Sequence, residues 1–156
     1  MKITLLVVGK TTDKHIEMLI DEYKSRLSHY VSFGMQVIPE LKNTKNLTEE
    51  QQKEAEGRLI LQQISTADML ILLDEHGKEY RSVEFADYMQ RLMSAGRNVV
   101  FAVGGPYGFS KDVYERADAK LSLSKMTFSH QMVRLFFVEQ IYRAMTILRG
   151  EPYHHE

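Results

Sequence analysis

The chain has 156 residues, a formal net charge of -1 and no cysteine. That length suits one compact domain able to bury most of its unfolded surface without staples. The missing cysteine excludes disulfides, thiolate zinc sites and a cysteine nucleophile, and points to an intracellular protein. The near-neutral balance removes the broad positive field of a typical nucleic-acid binder, so an RNA role requires a local patch.

No apolar run approaches the ~20 residues of a membrane span, and Met1-Lys2 leads straight into a strand-like run rather than a signal peptide. A cytoplasmic location is therefore expected. Ile3 to Val8 reads as a strand stopped by Gly9, and Ile16, Leu19, Ile20, Tyr23 and Leu27 then recur at helical spacing. Phe33, Met35 and Val37 alternate as a second strand that Pro39 closes, and residues 42–47 form a polar connection. Thr48 and Gln51 make a capping-box pattern for a helix reaching about Ile64, with Gly57 unfavourable in its middle.

Met69 to Leu73 reads as a third strand, ending in Asp74-Glu-His-Gly77. Ser82 is expected to cap a helix carrying Phe85, Tyr88, Met89 and Leu92, closed by Gly96. Val99 to Val103 is the fourth strand, followed by Gly104-Gly-Pro-Tyr-Gly108, a short helix from Ser110 and a short strand over Lys120 to Leu123. This alternation, with near-continuous apolar strands and no repeat or linker, predicts an α/β fold. Its sheet should be mostly parallel with helices on both faces.

The last predicted helix, Met132 to Arg149, is apolar around nearly its whole circumference, with Glu139 and Arg143 sharing a thin polar strip and Arg134 opposite. A helix of that kind is expected to be buried on all sides, which favours a two-fold homodimer.

Two loops invite a ligand reading. Gly104, Gly105 and Gly108 form either a tight turn or a place where backbone amides approach a ligand; neither a Walker A motif nor a dinucleotide fingerprint is present. Ser124, Lys125 and Thr127, between Leu123, Met126 and Phe128, form either a pocket lining or a helix lead-in with Ser129 as N-cap. Loops on neighbouring strand ends of an α/β sheet are where ligands sit. Asp74, Glu75 and His76 read more naturally as a solvated turn than as acid-base or metal chemistry. His130, Arg134 and Arg143 are candidates to face a substrate, and Tyr153, His154 and His155 offer a ring and imidazoles on the tail.

Taken together, Leu72-Leu-Asp-Glu-His-Gly-Lys78, Phe101-Ala-Val-Gly-Gly-Pro-Tyr-Gly108, Leu121-Ser-Leu-Ser-Lys-Met-Thr-Phe-Ser-His130 and Glu151-Pro-Tyr-His154 closely resemble the RlmH (YbeA-type) family. These are SPOUT-class methyltransferases of large-subunit ribosomal RNA. The resemblance spans nearly the whole chain. It implies a SPOUT-type α/β knot with a C-terminal trefoil and a homodimer with active sites at its interface. It further implies an S-adenosylmethionine pocket at Leu73, Gly104, Leu123, Ser124, Lys125, Met126, Thr127 and Phe128.

The implied reaction is N3-methylation of a pseudouridine in a 23S rRNA hairpin loop, on the assembled ribosome, without a metal. N3 is an imide nitrogen that must lose its proton, so a base and a cationic neighbour are expected. The candidates are His130 or His154 as base, Arg143 as charge stabiliser and Tyr153 as positioning ring. Alternatives are another RNA or small-molecule acceptor, or a non-catalytic ribosome-binding protein. Two positions depart from the family pattern: Ser129 stands where proline is common, and His155 where arginine is common.

Overall fold

The computed structural model describes residues 1–155; Glu156, the last residue of the expected single domain, lies outside the described residues. Five strands, β1 (Lys2–Val8), β2 (Ser32–Ile38), β3 (Met69–Glu79), β4 (Val99–Val103) and β5 (Ala119–Ser122), form one sheet in the order β2-β1-β4-β3-β5. Every pairing between these strands is parallel, so the expected "mostly parallel" sheet is wholly so. The helices are α1 (Lys14–Leu27), α2 (Glu49–Gln62), α3 (Ser82–Ser94), α4 (Lys111–Arg116) and α5 (Met132–Leu148), with a 3-10 turn at Thr44–Asn46.

Alternate residues of the strands feed two cores, as parallel strands covered on both faces require. Ile3, Leu5, Val7, Ile71, Val99 and Phe101 pack with α1, α3 and α5, through Ile20, Met89 and Phe137 among others. Leu6, Leu70, Leu72, Val100 and Ala102 face the other way and meet Ile60 of α2 and Val113 of α4.

Most boundaries follow local chemistry. Thr48 and Gln51 form the reciprocal capping box at the start of α2. Ser110 caps α4, and Gly96 takes a positive φ of 74° just beyond α3. The cap of α3 is Arg81 rather than Ser82: Glu84 reaches back to the Arg81 amide at 3.1 Å, which makes Ser82 the first helical residue. Gly57, unfavourable by propensity, has a packing reason. A Cβ there would lie 2.3 Å from Ser110 Oγ, so its absence lets α2 close on the α4 N-terminus.

The helix α5 is less enclosed than its composition suggests. Phe137, Val138, Ile141, Ala144 and Met145 are buried, but Phe136 is 41% exposed and Val133, Leu135, Tyr142 and Leu148 are only partly covered. Arg134, a candidate to face a substrate, is engaged within the fold. It is 2% exposed and donates to the His130 carbonyl at 2.9 Å, Thr11 Oγ1 at 3.2 Å and the Val8 carbonyl at 3.0 Å. It therefore ties the end of β1 to the start of α5.

Candidate cofactor cavity and tail cluster

The strand β3 continues past Leu73, where the sequence pattern ends it. Leu121 of β5 is paired with both Leu73 and Lys78, so residues 74–77 bulge out of the sheet while the strand resumes beyond them. Gly77 makes this possible, because a Cβ there would lie 2.7 Å from the Leu121 amide nitrogen and the Lys120 carbonyl carbon. The bulge is tightened by Asp74, whose Oδ1 accepts from the His76 amide at 2.8 Å.

The bulge, the glycine loop after β4 and the segment after β5 enclose a cavity of about 480 Å³. The two loops singled out from sequence follow β4 and β5, which are not neighbours; they flank β3, whose own bulge forms the third wall. Apolar walls come from Leu73, Val103, Leu121, Leu123, Met126, Phe128 and Val133, and polar groups from Asp74, Glu75, His76, Ser124, Thr127, His130 and Tyr114. A cavity of this size, lined in similar measure by apolar and polar groups, is large enough for a small molecule.

Of the cofactor residues expected from the resemblance, Leu73, Gly104, Leu123, Ser124, Met126, Thr127 and Phe128 line the cavity. Lys125 is not a lining residue; its ammonium turns to Glu79, 3.9 Å away. Ser124 Oγ accepts from the Met126 amide at 2.9 Å, and Ser129 Oγ from the Met132 amide at 3.0 Å. Thus Ser129 closes the first turn ahead of α5 although the helix begins at Met132.

Asp74, Glu75 and His76 form the expected turn, with Glu75 and His76 exposed, and the same turn borders the cavity. Burial pushes the Asp74 carboxyl up, but the Tyr114 hydroxyl, the His76 amide and nearby positive charge outweigh it and hold it below the ordinary value. Tyr114 moves the opposite way, to about 12, through burial and its hydrogen bond to Asp74. The turn itself is legible in the sequence; its pairing with Tyr114 is not, because Tyr114 lies far along the chain, and its place at a strand's C-terminal end was the available signal for the cavity. Among the described residues there is no cluster of His, Asp and Glu able to hold a metal ion.

The four catalytic candidates divide. His130 lines the cavity. Arg143, Tyr153 and His154 gather elsewhere, around Glu139 and α1. Glu139 Oε1 accepts from Arg143 Nη2 at 2.7 Å, Arg143 Nε at 3.2 Å and the Tyr153 hydroxyl at 2.9 Å. Arg143 Nη1 lies 3.0 Å from His154 Nδ1. A guanidinium has only donors, so a hydrogen bond here takes His154 Nδ1 as its acceptor.

The guanidinium carbon also sits 4.9 Å from the Tyr153 ring centroid, and that ring packs edge-on against Tyr142 at 4.8 Å. Burial and hydrogen bonding to Tyr23 and Glu139 push the Tyr153 hydroxyl well above the usual phenol range. The tail is therefore docked, through this cluster and through Tyr30 donating to Glu151 Oε2 at 2.6 Å.

An all-parallel sheet with a cavity at adjoining strand ends defines an α/β protein with room for a ligand there, and comparison with known proteins makes the class specific. A family model described as "Predicted SPOUT methyltransferase" matches residues 1–154, and the chain belongs to that family. It is 61% identical to the "Ribosomal RNA large subunit methyltransferase H" of Phocaeicola vulgatus and to that of Bacteroides fragilis, with 100% of this chain and of each relative covered. The protein of the same name from Flavobacterium johnsoniae is 57% identical over the same full span. A crystal structure of the SpoU methyltransferase AviRb from Streptomyces viridochromogenes, in complex with AdoMet, overlays with a TM-score of 0.47 at 11% identity. It covers 96% of this chain and 58% of that one, and is too distant to add to the assignment.

Proposed function

We propose that the chain is an S-adenosylmethionine-dependent methyltransferase of large-subunit ribosomal RNA, acting in the cytoplasm as a single-domain homodimer. The observation that carries this reading is the full-length 61% identity to proteins named for that activity. The finer acceptor is N3 of a pseudouridine in a 23S rRNA hairpin loop on the assembled ribosome, as the sequence resemblance implies. The C-terminal trefoil knot belongs to the same proposal.

The cavity residues fit such a cofactor. Leu73, Leu123, Met126 and Phe128 supply apolar surface for a planar base, while Gly104 and its neighbours bring backbone groups to the wall without intervening side chains. Asp74 and Glu75 add carboxylates to the lining, which would suit a ligand that carries positive charge. The cofactor supplies an electrophilic methyl group when bound. The protein's own work is alignment, exclusion of water and management of one imide proton.

The tail cluster bears on the second task. Tyr153, whose hydroxyl donates to Glu139 and resists ionisation, is a positioning ring rather than a base. His154 is held at Nδ1 by Arg143, within the same cluster as Tyr153. That leaves His130, at the cavity wall, as the better candidate to receive the N3 proton, with Arg143 stabilising the imidate. Within one chain His130 and the tail cluster form separate groups, so a shared active site draws on a second copy. The partly uncovered α5 face, with Phe136 exposed, suits that contact.

The deciding experiment is methyl transfer from labelled S-adenosylmethionine to ribosomes with and without the pseudouridine. Transfer is expected to need the pseudouridine; equal transfer to both would refute this acceptor.

A further inference from the structure

Glu56 is a carboxyl in an unusual place. It lies on the inner face of α2, 4% exposed, and its Oε1 has no hydrogen-bond partner among the described residues. It is pressed against the back of the glycine loop. A methyl group on Gly105 would lie 2.3 Å from Glu56 Oε1 and 2.7 Å from both its Cδ and its Oε2. Gly105 in turn lines the cavity, and its carbonyl accepts from the Gly108 amide at 3.1 Å. The carboxyl thus stands directly behind the loop whose other side faces the ligand space.

A buried carboxylate with an unpartnered oxygen is costly, whereas the neutral acid is tolerated. Among the described residues, no cation is among the groups that act on it. Glu40, from the segment after β2, is the charged group facing it and is acidic; Gln52 of its own helix hydrogen-bonds to it. Lys53, one turn earlier, is paired with Glu50 at 3.2 Å. The neighbouring contacts from the glycine loop and α4 are Gly105, Ser110 and Val113, none of which is ionisable. Burial first, and then Glu40, raise the Glu56 carboxyl above the ordinary glutamate range against the opposing effect of Gln52.

We infer that Glu56 is a positioning residue for the glycine loop: as a neutral acid it supports Gly104–Gly105 from behind, and on losing its proton to solvent it releases them, so cofactor affinity falls as pH rises. The ligand's identity rests on the methyltransferase reading above. The loop's dependence on Glu56 does not. Gly105 is glycine for the same reason, since any side chain there would occupy the space that the carboxyl fills.

Two measurements test this together. In the ligand-free protein, the Glu56 carboxyl carbon and the amides of Gly104, Gly105 and Gly108 are followed by NMR from about pH 3, below the ordinary glutamate value, to about pH 9. The amides are expected to move with the same midpoint as the carboxyl, and to be flat in Glu56→Gln. S-adenosylhomocysteine binding is then measured over the same range. The wild type is expected to weaken by up to about tenfold per pH unit above the Glu56 midpoint. Glu56→Gln should keep the low-pH affinity throughout, and Glu56→Ala should bind weakly at every pH.

Glycine amides that ignore the Glu56 carboxyl, or a Glu56→Gln variant with the wild-type pH profile, would overturn the inference. Should Glu56→Gln fail to fold, the wild-type titration alone decides, because it reports both partners. Absence of S-adenosylhomocysteine binding at any pH, with the amides still tracking the carboxyl, would overturn the cofactor assignment while supporting the loop's dependence on Glu56.

Discussion

The cavity and the tail cluster are built by opposite means. The cavity is a gap left by backbone: a bulge that only Gly77 permits, a glycine loop, and walls that mix apolar and polar side chains. The tail cluster is side chain throughout, with Arg143, Glu139, Tyr153, Tyr23 and His154 joined by hydrogen bonds. A site made of backbone shape tolerates substitution of its side chains but not of its glycines. A saturated network of side chains loses its geometry when one member is removed.

The largest effect is expected in the cluster. Arg143→Ala removes the cation beside His154 and leaves Glu139 half-buried without its main partner. Methyl transfer to ribosomes should fall by about 10²–10³-fold, the scale seen when one transition-state donor is lost. S-adenosylhomocysteine binding should stay near wild type. Parallel loss of both would place the cluster in the cofactor site and erase the contrast.

Next comes the bulge. Gly77→Ala pushes a methyl to 2.7 Å from β5 backbone, which has no flexible end to yield. A destabilisation of about 1–3 kcal/mol is expected, as for other overpacking changes, together with weakened cofactor binding. Thermal denaturation and calorimetric titration check both. A neutral result would mean that the bulge shifts freely and that the cavity wall is not set by backbone.

How much of this was legible beforehand follows the same division. Strand and helix order is written in local periodicity, so β1 to β5 were placed to within a few residues except where β3 runs on through its bulge. That extension depends on a contact between Gly77 and Leu121, far apart in sequence, which no window of residues encodes. The cavity loops were legible as two glycine and serine segments, but Lys125 turned outward to Glu79 and Arg134 inward to Val8. A long cation's direction is fixed by distant acceptors, not by its place in a motif. Gly57 stands out in the sequence only as a poor helix former, and neither its packing on Ser110 nor that of Glu56 on Gly105 is legible there, since both partners come from another part of the chain.

A smaller, pH-dependent effect distinguishes the cavity's one strongly paired carboxylate. Asp74 is held below its ordinary value of 3.8 despite burial, by Tyr114, the His76 amide and nearby positive charge. A depressed carboxyl contributes stability that is present above the unfolded value and is lost as pH falls through the folded one. Asp74→Asn should therefore be less stable than wild type at neutral pH, with the difference closing in acid. Melting curves across that range report it, and a constant difference at all pH values would assign the effect to packing instead.

The smallest expected effect lies at the end of the tail cluster, where His155 is exposed and follows the docked His154. Arginine is common at this position in the family that the chain resembles. His155→Arg adds a permanent cation beside a cluster proposed to meet RNA, without disturbing the buried partners of Arg143. One additional phosphate contact should steepen the salt dependence of ribosome affinity by about 0.9 in log–log slope and tighten binding modestly at low salt. Methyl transfer at saturating ribosome should not change, because the cation acts on encounter rather than on N3. Unaltered affinity and slope would show that the terminus lies away from the RNA, and would confine the tail's role to residues up to His154.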